Sequence, residues 1–275
     1  MLSLSLHYPE ITAGLVMFIR KSVREPGFSK VVLGLSGGID SALVAALAVK
    51  ALGPENVLGV RMPYQTSSPD SLADAQLVAD TFGFQLETVS ITEACEGLFS
   101  LSGETNQNRR GNVMARMRMI VLFDRSQRDS RLVLGTSNKT ELMLGYGTWY
   151  GDMASAVNPV GDLYKTQIRE LSEFLGVPQP VIKKKPSADL WTGQTDEQEM
   201  GFSYDDADQI LYRMVDLRLQ DDEIAQAGYP LPLVRKIRGM MIRSQYKRRL
   251  PLIPKLTTRS VGTDFLYPRD WYQAF

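Results

Sequence analysis

The chain is nearly devoid of the two residue types on which much side-chain catalysis depends, with one histidine, His7, and one cysteine, Cys95, in 275 residues. A single cysteine closes no internal disulfide and builds no cysteine-rich zinc site. With His7 in the N-terminal segment, a Ser-His-Asp or Cys-His centre is nearly excluded as well. Net charge is also missing, because 31 Lys and Arg balance 31 Asp and Glu. No global field therefore draws the chain to DNA, RNA or an anionic membrane. No apolar run reaches the length of a membrane span, and the start MLSLSLHYPEIT has neither the basic region nor the apolar stretch of a secretion signal. These absences predict a soluble cytoplasmic protein without nucleic-acid or membrane partners, whose chemistry runs on carboxylates, lysines and backbone amides, with room for a metal. What is present is an ordinary globular composition, 44% hydrophobic and 23% charged. A chain of this length buries roughly three quarters of its unfolded surface, enough for one large domain or a domain with an elaborated subdomain.

Apolar positions at helical spacing over 11–24 predict a first helix, ended by Pro26-Gly27. The Val- and Leu-rich run from Lys30 reads as a buried strand, Gly37-Gly38 as a turn, and Ala42 to Leu52 as a helix stopped by Gly53-Pro54. The alternation repeats with a strand over Asn56 to Val60, then Ser68 as N-cap and Pro69 as first helical residue before Asp70 to Phe82. Further strands are predicted at Gln85 to Ile91 and Arg131 to Thr136, with a helix from Thr92 and a long one over Asn112 to Ser126. Alternating strands and helices argue for an α/β fold, a Rossmann-like parallel sheet with helices on both faces. From about residue 160 strands fade into helices at 163–175, 204–219 and 230–249, a helical C-terminal elaboration. Residues 183–203 between them are too polar and glycine-bearing for a core element, and a loop that long is commonly functional or disordered. The zero net charge hides a separation: eleven acidic residues and two arginines between Asp189 and Glu223, then seven basic and no acidic residues from Arg235 to Arg249. Two complementary solvated helix faces explain this, and so does a basic site for a phosphorylated substrate.

The segment Gly34, Leu35, Ser36, Gly37, Gly38, Ile39, Asp40 and Ser41 joins the first parallel strand to its helix. Small residues there let backbone N–H groups approach an anion, and the helix N-terminus adds partial positive charge. It is neither a Walker A loop nor the G-x-G-x-x-G of dinucleotide oxidoreductases. Its S-G-G-x-D-S pattern resembles the pyrophosphate loop of the ATP pyrophosphatases, whose fold is that of the adenine nucleotide α-hydrolases. Three later stretches narrow the resemblance: Gly135-Thr136-Ser137-Asn138-Lys139-Thr140-Glu141, then Tyr150-Gly151-Asp152 through Asn158-Pro159-Val160-Gly161-Asp162 to Lys165-Thr166, and Pro186-Ser187-Ala188-Asp189-Leu190 leading into Gly193-Gln194-Thr195-Asp196-Glu197. In this order they resemble the NAD synthetase family over essentially the whole of 1–275, as a single domain without a glutaminase domain.

The resemblance implies a ligase that amidates deamido-NAD to NAD with ATP and ammonia through an adenylated carboxylate, releasing AMP and pyrophosphate. It implies ATP contacts from the loop Gly34 to Ser41 and from Thr136, Lys165 and Ser187, and Arg61, a lone arginine after the second strand, is placed by its position near the nucleotide edge. Deamido-NAD contacts fall on Arg116, Tyr246 and Lys247, and Mg²⁺ on Asp40 and Glu141. On physical grounds Asp40 and Glu141 suit that ion, which takes one or two carboxylates plus phosphate oxygens, although helix capping and dipole compensation account for them equally well. Lys165 is open to the reading of a solvated helix residue, and Tyr246-Lys247 to that of a basic helix end. Two positions depart from the family pattern, Trp149 in place of lysine and Ala156 in place of aspartate, so the lysine and aspartate roles are not transferred. Free ammonia, supplied in the cell by a separate glutaminase if by any protein, is the implied nitrogen donor, and a homodimer the implied assembly. The polar loop 186–203 is the candidate lid over the reactive intermediate. The competing readings are a GMP synthetase-like ligase of the same superfamily and a nucleotide-binding regulator without activity.

Overall fold

The computed structural model describes residues 2–264 other than Glu104, Ala188, Thr192 and Thr263. Ala188 of the Pro186–Leu190 motif, and Thr192, therefore lie outside the described residues. Four strands, β1 (Lys30–Gly34), β2 (Val57–Arg61), β3 (Gln85–Thr88) and β4 (Arg131–Leu134), form a wholly parallel sheet in the order β3-β2-β1-β4. Helix α1 (Tyr8–Arg24) precedes β1, α2 (Ile39–Leu52) links β1 to β2, α3 (Pro69–Phe82) links β2 to β3, and α4 (Thr92–Ser102) with α5 (Gln107–Asp129) link β3 to β4. After β4 come α6 (Lys139–Leu144), α7 (Lys165–Phe174), α8 (Gln179–Lys183), α9 (Asp196–Met200), α10 (Tyr204–Leu211), α11 (Asp221–Gln226) and α12 (Leu231–Arg243).

Alternation along the strands divides the core in two. Val31 and Leu33 face α1, α2, α3 and α7, whereas Val32, Leu58, Val60 and Val133 face Cys95 and Phe99 of α4 and Met114 of α5. Both faces are covered, so β1, β2 and β4 are apolar along their centres, as a parallel sheet requires, whereas the edge strand β3, Gln85-Leu86-Glu87-Thr88, is polar and has no fully buried residue. A third core joins Leu144, Tyr164, Tyr204, Ile210, Val234 and Ile237 in the helical C-terminal layer.

The chain reverses direction across the sheet between β1 and β4, because β2 and β3 extend one way from β1 and β4 lies on the other side. At such a switch point the loops leaving two neighbouring strands part and open a crevice at their C-terminal ends. Residues 134–158 widen it: Val157 bridges to Leu134, and Asn158 donates to the Ser137 carbonyl at 2.9 Å.

Several predicted boundaries move. Helix α2 starts at Ile39, not Ala42, since Gly38 is its N-cap and Asp40 lies in its first turn. β3 stops at Thr88 instead of Ile91, although Val89 and Ile91 still bond to the carbonyls of Arg61 and Pro63. Within 204–219 the α-helix gives way at Tyr212 to a wider π turn, and 230–249 closes in a 3₁₀ turn after Arg243. The segment 183–203 needs the largest correction. It contains α9, and Met200 and Phe202 enter the C-terminal core while Gln194 and Asp196 are buried. Its polar residues are inside because they pair: Asp196 accepts from Tyr204, and Gln194 from the Leu190 amide.

Candidate active site

The loop between β1 and α2 is preorganised for an anion. Ser36 Oγ lies 3.2 Å from Ser41 Oγ and accepts from the Gly38 amide, while Ser41 Oγ donates to the Gly38 carbonyl. Gly37 has φ of +76°, and a Cβ there would stand 2.3 Å from the Ser71 carbonyl oxygen, so both conformation and space demand glycine. No side chain caps α2. Its first amides therefore remain free for a phosphate, with the helix dipole behind them. Leu35 and Ile39 point into the core, so Ile39 has only its backbone to offer a ligand. Gly34, Leu35 and Ser36 line a cavity of about 550 Å³ above β1, β2 and β4.

Three elements converge on one buried ammonium. Lys165, the first residue of α7, is 4% exposed, and its Nζ meets the Asp40 carboxylate and lies 3.2 Å from Glu141 Oε1. Asn138 holds both carboxylates in register. Its Nδ2 donates to Asp40 at 2.8 Å, and as the N-cap of α6 its Oδ1 accepts from the Glu141 amide at 2.9 Å. Asp208 of α10 accepts from Thr140 and from the Thr166 amide, fixing the N-terminus of α7 against α6. Asp196, from α9, adds a third carboxylate nearby, held by Tyr204, whose ring lies 5.0 Å beneath Lys165 Nζ. Burial opposes the charge on Lys165, but Asp40 and Glu141 outweigh it and hold the ammonium above the ordinary lysine value. Burial, reinforced by Asp40 and Asp196 and opposed by Lys165, pushes the Glu141 carboxyl up to about 8. The solvated-helix reading of Lys165 is thereby corrected, since a lysine this buried is held only by its partners.

The remaining predicted residues divide by position. Thr136 and Ser187 line the cavity, and so does Arg61, whose guanidinium is tethered to Thr88 and the Leu72 carbonyl. Lys247 also lines it, with Nζ donating to the carbonyls of Gly145 and Gly147 at 2.8 Å. Arg116 and Tyr246 are not in the cavity lining. Arg116 is exposed and donates to the Trp149 carbonyl at 3.2 Å, and Tyr246 stands edge-on to the Trp149 ring. The acidic and basic stretches meet directly through Asp221 and Arg238, and Arg248 caps the carbonyls of Leu142, Met143 and Met241. Most of that basic charge is therefore structural, with Lys247 its one contribution to the cavity lining.

The sequence reading missed Asn138 as the clamp and Arg118 as a cation in the cavity. Arg118 donates from Nε to the Met62 carbonyl, and burial lowers its pKa against the pull of Asp189. The spacing Arg116-Met-Arg118 was visible, but only the helix phase shows that the second arginine turns inward.

A family model described as NAD synthase matches residues 11–251. The chain belongs to the NAD synthase family. It is 55% identical over 272 residues to a protein of Chlorobaculum tepidum named NH(3)-dependent NAD(+) synthetase, covering 99% of this chain and 98% of that one. Two solved structures resemble it. An NMN synthetase from Francisella tularensis superposes with a TM-score of 0.81 at 34% identity, covering 91% of this chain and all of that one. An NH3-dependent NAD synthetase from Campylobacter jejuni gives 0.78 at the same identity, again over 91% and 100%. Within the NAD synthase family the crevice between β1 and β4 is thus the place to seek the chemistry, and among the described residues no helix is long and apolar enough to cross a membrane.

Proposed function

We propose that this protein is an ammonia-dependent NAD synthetase: it adenylates the nicotinate carboxylate of deamido-NAD with ATP and replaces AMP by ammonia. The observation that carries the reading is the joining of the pyrophosphate loop to the Asp40–Lys165–Glu141 centre at the switch point of the sheet. In the first step a carboxylate oxygen attacks the α-phosphorus and the bond to pyrophosphate breaks. In the second, ammonia attacks the acyl carbon, AMP leaves with the transferred oxygen, and the nitrogen loses a proton. Two anions must meet in the first step, so positive charge and fixed N–H donors are what the site has to supply. Ser36, Gly38, Ser41 and the first amides of α2 would hold the departing pyrophosphate, while Lys165 would meet the phosphates from α7. Arg61, Thr136 and Ser187 would contact ATP, and Arg116, Tyr246 and Lys247 deamido-NAD.

Asp40 and Glu141 would hold Mg²⁺. Their carboxylates converge on one buried point, and together with Asp196 they exceed the single ammonium there, a donor set that suits a hard cation completed by phosphate oxygens. Among the described residues no group of three or more His, Cys, Asp and Glu forms a metal site unaided. When bound, the ion neutralises charge on the nucleotide phosphates. We place the enzyme in the cytoplasm as a homodimer, with the exposed Ile120 and Phe123 of α5 as part of the contact. Cys95 is buried and its thiol is pushed up by burial, so it offers no glutamine-cleaving nucleophile, and ammonia arrives free or from a separate glutaminase. The test is pyrophosphate release with ATP and ammonium, using deamido-NAD or xanthylate as acceptor. Release with deamido-NAD alone is expected, and release with xanthylate alone points to a GMP synthetase-like ligase. ATP binding without product in either case marks a nucleotide-binding regulator.

A further inference from the structure

Helix α10 and the π turn that continues it carry two aspartates, Asp208 and Asp216, that lie outside the cavity lining. Asp208 is fully buried and accepts from the Thr140 hydroxyl, from the Thr166 amide at 2.7 Å and from the Thr166 hydroxyl at 2.8 Å. Each of these partners donates, so the position calls for a group that only accepts, and an amide side chain would turn an N–H toward one of them. The Thr140 hydroxyl, with its proton committed to Asp208, in turn accepts from the Lys165 amide at 3.0 Å. Asp216 holds the neighbouring residue of each helix start, accepting from the Tyr164 hydroxyl at 2.5 Å and from Lys139 Nζ at 3.2 Å. The residues held therefore precede Glu141 in α6 and flank Lys165 in α7. Eight residues of unbroken α-helix would leave Asp216 about 80° round the axis from Asp208. The π turn, closed by the Leu217 amide on the Tyr212 carbonyl at 3.0 Å, winds less per residue and reduces that offset. Turns of this kind gather at functional sites.

We propose, resting on adenylation by ATP as the reaction, that Asp208 and Asp216 form a two-point clamp that sets Glu141 against Lys165, and that Asp208, acting through Thr140 and Thr166, is a positioning residue for transfer at the α-phosphate. Without nucleotide, Lys165 Nζ is held at its tip by Asp40 and Glu141. Entering phosphates share that ammonium, and the place from which the side chain starts then decides where its charge comes to rest. A lysine stem is long and flexible and gives little direction of its own. The backbone of α7 has to supply it, and the chain of bonds from Asp208 through the Thr140 hydroxyl to the Lys165 amide ties that backbone to α6. A displacement of about 1 Å at this distance from the chemistry can cost about 10²-fold in rate. Ground-state binding of ATP rests largely on the separate loop between β1 and α2, so the clamp acts on turnover more than on affinity.

The experiment measures pyrophosphate release from ATP with deamido-NAD and ammonium, per ATP-binding site counted by calorimetric titration, in wild type, Asp208→Asn, Thr140→Val, Thr140→Ser and Asp216→Ala. Asp208→Asn and Thr140→Val should each lower kcat about 10- to 100-fold, with Kd for ATP unmoved. Thr140→Ser keeps the hydroxyl and should hold kcat near wild type. Because Asp208 and Thr140 act in one chain of bonds, the double variant Asp208→Asn with Thr140→Val should be no slower than the slower single variant. Losses that multiply are the mark of independent structural damage and overturn the clamp. Unchanged kcat per site in Asp208→Asn and Thr140→Val overturns it as well, as do equal losses in Thr140→Ser and Thr140→Val. Should the buried variants not fold, Asp216→Ala at the partly exposed end decides: kcat should fall at unmoved Kd, and an unchanged kcat contradicts the clamp. Wild type that binds ATP yet releases no pyrophosphate is a different result, which contradicts the proposed function, and the clamp falls with it.

Discussion

Lys165 decides the electrostatics of the crevice, and its removal separates two roles. Lys165→Met leaves Asp40 and Glu141 buried without their shared cation, which costs about 3–5 kcal/mol in such settings. Thermal unfolding should show that loss. Adenylation should fall by about 10²-fold or more, as when one preorganised transition-state donor is deleted, read as pyrophosphate release by the folded fraction. Full pyrophosphate release in the variant would contradict the phosphate-facing role. Glu141 gives a pH signature with a definite sign. Its pKa rises from an ordinary 4.5 to about 8 in the folded chain, chiefly through burial. The folded state therefore holds that proton more tightly than the unfolded one. The resulting stability is full below pH 4.5 and is lost as the pH climbs through 8. Melting temperature of the ligand-free protein should fall from pH 5 to 8.5, and Glu141→Gln should flatten the fall. An unaltered slope in the variant would contradict the assignment. A cation on Glu141 displaces the same proton, so Mg²⁺ should stabilise the protein more at pH 8 than at pH 6.

At the scale of elements, the segment 186–203 behaves as a strap fastened unequally at its two ends. Its C-terminal half is anchored by Asp196 on Tyr204 and by Met200 in the core. Its N-terminal half is held across the cavity mouth by Asp189 accepting from the Ser68 amide at 3.1 Å and by Thr66 donating to the Leu190 carbonyl at 3.4 Å. The weaker half is the one expected to open for nucleotide and close over the intermediate. Limited proteolysis within 186–195 should slow when ATP and deamido-NAD are added, and equal rates with and without them would contradict a lid. This segment also marks the limit of what the sequence shows. Strands β1, β2 and β4 and helices α2 and α3 were legible because one apolar run or one helical stripe defines each, and Ser68-Pro69 announces the start of α3 on its own. Helix α9 was not legible, because its burial depends on Asp196 finding Tyr146 and Tyr204, which lie outside the segment's own apolar pattern. The pyrophosphate loop was readable as a spacing pattern. The clamp by Asn138 was not, since it joins residues 98 positions apart.

For the molecule as a whole, three cores leave open a crevice of about 550 Å³ between β1 and β4, with α5 forming one wall and presenting Ile120 and Phe123 outward at 52% and 42% exposure. If those side chains lie in a dimer contact, Ile120→Glu with Phe123→Glu should shift sedimentation from dimer to monomer, and an unchanged dimer would place the contact elsewhere. The zero net charge and the scarcity of His and Cys fit chemistry carried by backbone amides, carboxylates and one buried lysine. Transfer of oxygen reads that chemistry most directly. Deamido-NAD labelled with ¹⁸O in its nicotinate carboxylate, incubated with ATP, Mg²⁺ and ammonium, should give NAD and pyrophosphate together with AMP carrying one ¹⁸O on its phosphate. Unlabelled AMP, or label appearing in inorganic phosphate with ADP as the nucleotide product, would contradict carboxylate adenylation at this site.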